Sequence, residues 1–215
     1  LILHIASIGD ISYWATDVSE YAMALANKYW PGPMTLIFKR SENAKDFVTG
    51  GQNTVGLRIP NHALALELLQ ECKNIGVHAI AAPSANRFGH VSPTTAAAVK
   101  EEISAYLAPQ DLILDGGPAQ VGLESTIIDC TGGAPKILRP GAITQAMIEE
   151  ATGLKVITDN NSQIRVSGSL EKHYAPNAKV ILDIQATGGQ GFIATADVAT
   201  PAGAIRLASP ANTDE

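Results

Sequence analysis

Apolar residues in this chain fall into short runs that alternate with helical stripes, a pattern that predicts an α/β fold. Residues 1–6 read as a strand. Asp17-x-x-Glu20 resembles a capping box with Asp17 as the cap. Val18, Tyr21, Ala22, Leu25, Ala26 and Tyr29 continue at helical spacing until Pro31-Gly32-Pro33 ends the run. Residues 34–39 and 54–59 read as strands. Residues 61–73 form a helix pattern with Leu64, Leu68 and Cys72 in one row, Asn61 able to cap it and Gly76 to end it. Residues 77–82 predict a strand, 95–107 a helix and 112–115 a short strand. Residues 125–129 and 136–138 read as strands around the turn Thr131-Gly132-Gly133, and this hairpin spacing adds antiparallel pairing. A helix at 144–151 and a short strand at 154–157 complete the first domain, residues 1–157.

The pattern fades at 158–178, a polar stretch that reads as a linker or lid. Strand patterns at 179–184 and 191–196 then open a second α/β domain over 179–215. Gly188-Gly189-Gln190-Gly191 lacks the Lys-Ser/Thr ending of a phosphate loop and precedes a strand, so it reads as a plain turn. The expected fold is α/β: a twisted mixed sheet with flanking helices, followed by a linker and a truncated small α/β domain. Both ends read as cut, the first inside a strand-like run and the last at a helix-start pattern. An internal fragment is therefore expected.

Composition narrows the function classes. The chain has 215 residues, 46% hydrophobic and 17% charged, enough for a substantial core. A net charge of −6 argues against gripping nucleic acid by bulk electrostatics, and 5% aromatic content is poor material for base stacking. Cys72 and Cys130 are isolated and lack metal-ligand spacing, which fits buried thiols in a reducing cytoplasm. No apolar run reaches transmembrane length, so no membrane association is expected.

Candidate chemistry gathers at strand ends. The stretch from Ala81 to Thr94 reads as a strand end, a polar loop with Pro83-Ser84-Ala85-Asn86, and a helix start with Ser92 as N-cap and Pro93 in the first turn. Free N–H groups at such a helix start attract anions. An ordinary strand–turn–helix connection is the plainer alternative. Arg58 sits in an apolar strand and needs either an anionic partner or open water. His62 follows at a helix start, where a surface position is the plainer reading. Ser125 and Thr126 bring hydroxyls to a strand entry. Arg139 precedes Pro140-Gly141 and suits bidentate phosphate recognition, with no obvious carboxylate partner nearby in sequence. His4 lies between apolar neighbours, where a core histidine bonded to backbone is the plainer reading. No G-x-S-x-G, H-E-x-x-H or P-loop is present. The set suggests a polyanionic small molecule more than an acid–base hydrolase.

Six blocks in this order resemble the YrdC family: Tyr29-Trp30-Pro31-Gly32-Pro33-Met34-Thr35, Val55 to Pro60 with His62, Ala82-Pro83-Ser84-Ala85-Asn86, Ser92-Pro93-Thr94, Glu124-Ser125-Thr126 and Leu138-Arg139-Pro140-Gly141. Lys172-His173-Tyr174-Ala175-Pro176 resembles the linker of its two-domain form, the long L-threonylcarbamoyladenylate synthase. The resemblance implies a nucleotidyltransferase that makes threonylcarbamoyl-AMP and pyrophosphate from L-threonine, bicarbonate and ATP. Downstream enzymes would then transfer the threonylcarbamoyl group to a tRNA adenosine. Direct tRNA binding is expected to be weak or indirect.

The resemblance also implies site roles. Arg58, Ser84, Asn86, Ser92, Arg139 and Tyr174 would meet ATP or the adenylate. His4, His62, Ala82 (through backbone) and Ser125 would line the threonine side. Mg²⁺ would enter with ATP, held by phosphates and water, and no residue is expected as a metal ligand. No general base is singled out. The family's N-terminal block, with its Pro-Thr-Glu-Thr and Lys-x-Arg segments, has no counterpart in this sequence, so the chain by itself is expected to be inactive. A carbamoyl-adenylate-forming relative, found in hydrogenase-maturation carbamoyltransferases, is a second reading. Two isolated cysteines disfavour it. A non-catalytic RNA-binding module is a third, disfavoured by the charge.

Overall fold

The apolar run after Pro33 becomes the central strand of a mixed sheet. The structure, a computed structural model, describes residues 1–158, 164–166 and 178–209. The chain divides into two compact units, Leu1–Ala175 and Pro176–Glu215. In chain order the first unit holds β1 (Ile2–His4), α1 (Ile11–Trp14), β2 (Ala15–Thr16), α2 (Glu20–Tyr29), β3 (Met34–Arg40), α3 (Asp46–Thr49), β4 (Thr54–Arg58), α4 (Ala63–Asn74), β5 (Ile80–Ala81), α5 (Ala96–Ile103), β6 (Thr126–Asp129), β7 (Lys136–Arg139) and α6 (Gln145–Thr152). The sheet runs β5-β1-β4-β3-β6-β7, with β2 paired to the far end of β3. β1 is parallel to β4 and β3 to β6, while β5, β4 and β7 each pair antiparallel with β1, β3 and β6. The expected mixed sheet with flanking helices is therefore the fold observed.

Side-chain alternation sorts the sheet into two faces. Met34, Leu36 and Phe38 of β3 join Val55, Leu57, Leu3 and Ile128 in the main core. Helix α2 closes that core with Tyr21, Ala22, Leu25 and Ala26, and α6 adds Ile148. Each fully buried aliphatic side chain there contributes roughly 1.5–3 kcal/mol relative to exposure. The intervening positions Thr35, Ile37, Gly56, Arg58 and His4 fall on the opposite face. A Cβ placed on Gly56 would lie 3.0 Å from Ile37 and 3.5 Å from Thr35, which confirms that these residues share it. That second face carries the polar chemistry.

Several element boundaries differ from the sequence expectation. Asp17 does not cap α2: its φ is 52°, and Ser19 accepts from Ala22 N–H instead, at 3.4 Å. His62, not Asn61, occupies the cap position of α4, with an extended backbone and no side-chain cap bond. Helix α5 begins beyond Ser92 and Pro93, because Thr95 Oγ1 accepts from Ala98 N–H at 3.1 Å. The strand expected at 77–82 shrinks to β5. Residues 112–115 form no strand, since no neighbour pairs with them and Leu112 and Leu114 stay exposed. The strand expected at 154–157 is a single bridge from Ile157 to Lys136. The elements α1, β2 and α3 are too short to leave a periodic signature.

In the second unit, β8 (Gly191–Ile193) pairs parallel with β9 (Ile205–Ala208). Arg206 lies 4.9 Å from the Phe192 ring centroid and donates to Ala194 O. No strand forms at 179–184, and residues 188–189 make the plain turn expected of them.

One turn is sterically locked. Gly141 follows β7 and passes so close to the start of β6 that a Cβ would sit 2.4 Å from Glu124 O and 2.6 Å from Thr126 N. Thr126 Oγ1 fastens the same crossing by donating to Ile143 O at 3.0 Å and accepting from Ile143 N–H at 2.9 Å. Backbone atoms cannot rotate away as a side chain can. Gly141→Ala is therefore expected to cost at least about 2 kcal/mol in urea unfolding, by the overpacking rule. Gly133→Ala, where a Cβ meets nothing within 4 Å, should change stability by less than about 0.5 kcal/mol.

Candidate active site

The second face of the sheet ends in a cavity of about 800 Å³ that brings together Arg58, Ser84, Ser92, Ser125 and Arg139. Strand β4 delivers Arg58 and β7 delivers Arg139. The loop between β5 and α5 supplies Ser84 and Ser92, and Ser125 stands at the entry to β6. A second hollow of about 500 Å³ adjoins it through Arg58, Pro93 and Thr94, and holds His62. His62 Nε2 donates to Gly116 O at 3.1 Å, which braces the loop after α5 against the start of α4.

Arg139 is buried, and two of its nitrogens donate to Ser125 O at 3.0 and 2.7 Å. Its Nη2 also donates to Ser125 Oγ at 2.9 Å and faces Glu124 Oε2 at 3.5 Å. Arginine has no acceptor, so the Ser125 hydroxyl proton must point elsewhere. Thr35 Oγ1 lies 2.9 Å away and shares a hydrogen bond with that hydroxyl. Ser125 is itself buried and lines the cavity beside Arg139, whose guanidinium it holds. The carboxylate that the sequence neighbourhood of Arg139 did not suggest is thus Glu124, brought in from the approach to β6.

Arg58 is half-buried and donates through Nε to Gly32 O at 3.0 Å. Burial holds its guanidinium below the usual arginine range. The Glu124 charge opposes that shift, and the Arg139 charge adds to it. Among the described residues no carboxylate lies within ion-pair distance of Arg58. Among the described residues two guanidiniums and one carboxylate meet at this cavity, a lining able to hold a phosphate or carboxylate.

The remaining expected residues sit apart from the cavity wall. Asn86 lies behind Ser92 and donates to Arg87 O at 2.7 Å and His90 O at 3.1 Å. Ala82 N–H is committed to Ile2 O at 3.1 Å, and the residue lines neither hollow. His4 pairs in register with Arg58 on the neighbouring strand and also lines neither hollow. Its Nδ1 is buried without a hydrogen-bond partner. Tyr174 lies outside the described residues. Glu124 is the site residue that sequence reasoning passed over. Its signal was a carboxylate at a strand entry, directly beside the hydroxyl pair Ser125-Thr126.

A family model described as Telomere recombination (Sua5/YciO/YrdC) matches residues 1–141. The chain belongs to this family. A second model, described as Threonylcarbamoyl-AMP synthase, C-terminal domain, matches residues 143–206. Threonylcarbamoyl-AMP synthase of Pyrococcus abyssi is 38% identical over 187 residues, which cover 85% of this chain and 53% of that protein. The Bacillus subtilis protein of the same name is 39% identical over 187 residues, covering 85% of this chain and 52% of its own length. The chain thus spans about half the length of the curated relatives it matches. A crystal structure of P. abyssi Sua5 complexed with L-threonine superposes with a TM-score of 0.72 at 34% identity, covering 90% of this chain and 53% of that one. The Sua5/YciO/YrdC fold thus accounts for the sheet, and the arginine cavity lies within the 1–141 match.

His4 gives this face a pH dependence. Burial, assisted by the Arg58 charge, lowers its pKa from 6.5 to about 4. Between those values the unfolded chain binds a proton that the fold refuses, so stability falls as pH is lowered through that window. The loss expected by pH 5 is about 2 kcal/mol. Urea unfolding at pH 7.5 and pH 5 should show that extra loss in the wild type and not in His4→Gln. Equal losses in both proteins would refute the assignment.

Proposed function

We propose that this chain is part of an L-threonylcarbamoyladenylate synthase, which converts L-threonine, bicarbonate and ATP to threonylcarbamoyl-AMP, pyrophosphate and water. The observation that carries the reading is the pair Arg58 and Arg139 converging on one cavity beside serine hydroxyls, in a chain of this family. The names of the relatives and the L-threonine complex of the P. abyssi protein support it.

The chemistry asks mainly for positioning. The threonine amine adds to bicarbonate, and loss of water leaves a carbamate. A carbamate oxygen then attacks the α-phosphate, and the bond to the β-phosphate oxygen breaks to release pyrophosphate. Negative charge builds on phosphate oxygens as this occurs. Arg58 and Arg139, already oriented by Gly32 O and Ser125 O, can stabilise that charge without reorganising. Thr35 and Ser125 hold Arg139 from beneath. His4 stays uncharged at neutral pH and so adds no competing cation under Arg58.

Mg²⁺ accompanies the ATP in this reading. Among the described residues no three His, Cys, Asp or Glu gather as a metal site, so the ion would be carried by the triphosphate and water. Downstream partners are enzymes that pass the threonylcarbamoyl group to tRNA, with tRNA contact by this chain weak or indirect. No described helix is long and apolar enough to cross a membrane, and a cytoplasmic setting is part of the proposal.

Arg58 offers the cleaner test, because replacing buried Arg139 would also unseat Ser125 and weaken the fold. Arg58→Ala in the full protein should lower pyrophosphate release by roughly 100-fold, the cost of losing a charge-assisted contact of about 3 kcal/mol. Release in the wild type should require both L-threonine and bicarbonate. Release independent of L-threonine would overturn the synthase reading, and an Arg58→Ala enzyme of full activity would overturn the role of Arg58.

A further inference from the structure

The loop between β5 and α5 is fastened to its helix from outside the cavity. Glu102, in the last turn of α5, accepts through Oε1 from Arg87 N–H at 3.1 Å and from Arg87 Nε at 3.0 Å. His90 Nδ1 stands 3.1 Å from the same oxygen and 3.3 Å from Arg87 Nη2. It either donates to the carboxylate or accepts from the guanidinium, and in both cases it stays within this cluster. The Arg87 hydrogen bond holds the Glu102 carboxyl below its usual range. A carboxylate in the last turn of a helix is opposed by the helix dipole, so Glu102 does not serve α5 itself. Asn86 Nδ2 donates to Arg87 O and His90 O, and His90 N–H donates to Arg87 O. These bonds shape the loop without attaching it to the helix.

The fastened segment, residues 85–91, lies between two serines of the cavity wall. Ser92 Oγ donates to Glu124 Oε1 at 2.7 Å, which ties that end of the loop to the approach to β6. Ser84 lines the cavity but makes no side-chain hydrogen bond among the described residues, so its place is set by the loop that carries it. Arg87, His90 and Glu102 line neither hollow. Glu102 stands roughly two turns, about 10 Å, along α5 from the Thr95 cap. It therefore acts on a ligand through the loop. We infer that Glu102 is a positioning residue of this cavity: it latches 85–91 to α5 and thereby sets Ser84 and Ser92 against the ligand. A loop freed from the latch visits other arrangements, and a nucleotide binds only the fraction that keeps both serines in place. The inference rests on the proposed use of ATP at this cavity.

The test pairs ATP affinity with turnover in the full protein. If the freed loop keeps its place about a tenth of the time, Glu102→Ala should weaken ATP binding about tenfold in titration calorimetry. The kcat of pyrophosphate release at saturating ATP should stay within about twofold of wild type, because the bound form has the loop in place. Amide hydrogen exchange over 85–91 should quicken in the same variant, and ATP should slow it again. Glu102→Gln keeps an acceptor for Arg87 N–H, so it should recover part of the affinity, and it serves in place of Glu102→Ala should that variant not fold. Glu101→Ala, an exposed neighbour on α5, should bind ATP as the wild type does. Wild-type ATP affinity in Glu102→Ala would overturn the latch. A fall in kcat with ATP affinity intact would mark a smaller folded fraction and a merely structural role, and would overturn it too. So would an equal loss in Glu101→Ala. Glu102-dependent ATP binding in a protein whose pyrophosphate release ignores L-threonine would leave this inference standing and remove the synthase reading.

Discussion

The site depends on a buried guanidinium. Arg139 spends three hydrogen bonds on Ser125 alone, two to its carbonyl and one to its hydroxyl. Burying such a group costs several kcal/mol unless its donors are satisfied and its charge is opposed. The carbonyl, the hydroxyl and Glu124 meet that demand at one point, where the start of β6 meets the end of β7. Gly141 allows the two chain segments to come that close, and Thr126 fastens them. A fault in any of these parts leaves a cation in the interior with too few partners. Fold and site are therefore stabilised by the same contacts.

Much of this was legible in the residues. An arginine inside the apolar run 54–59 marked Arg58 as a group in need of an anion or water, and the Pro-Gly stops at 31–33 and 140–141 marked where strands begin and end. The reach from strand ends to a shared cavity followed for Arg58, Ser92, Ser125 and Arg139. Two things were not legible. Caps are decided by which of several hydroxyls lies where the helical ladder begins, and Ser92, Thr94 and Thr95 all compete on paper. Short strands such as β5 and the missing strand at 112–115 depend on a partner edge that local sequence does not describe.

Glu124 was hidden for a different reason. A carboxylate at a strand entry has no periodic signature, and its meaning comes from two residues distant in sequence, Ser92 and Arg139. The setting of His4 was hidden for a related reason. Its apolar neighbours foretold burial, yet only the register with β4 reveals that its ring lies next to Arg58 and stays neutral.

The start of α5 at Thr95 has a consequence for how this site can diverge. Position 92 is relieved of any duty to the helix, which Thr95 holds by itself. Mutations at 92 can thus sample new ligand contacts while the helix behind them keeps its start. Position 139 has no such latitude, because its side chain supports the chain crossing beneath it. Over time the two positions should drift at different rates, one free to explore specificity and the other bound to the fold.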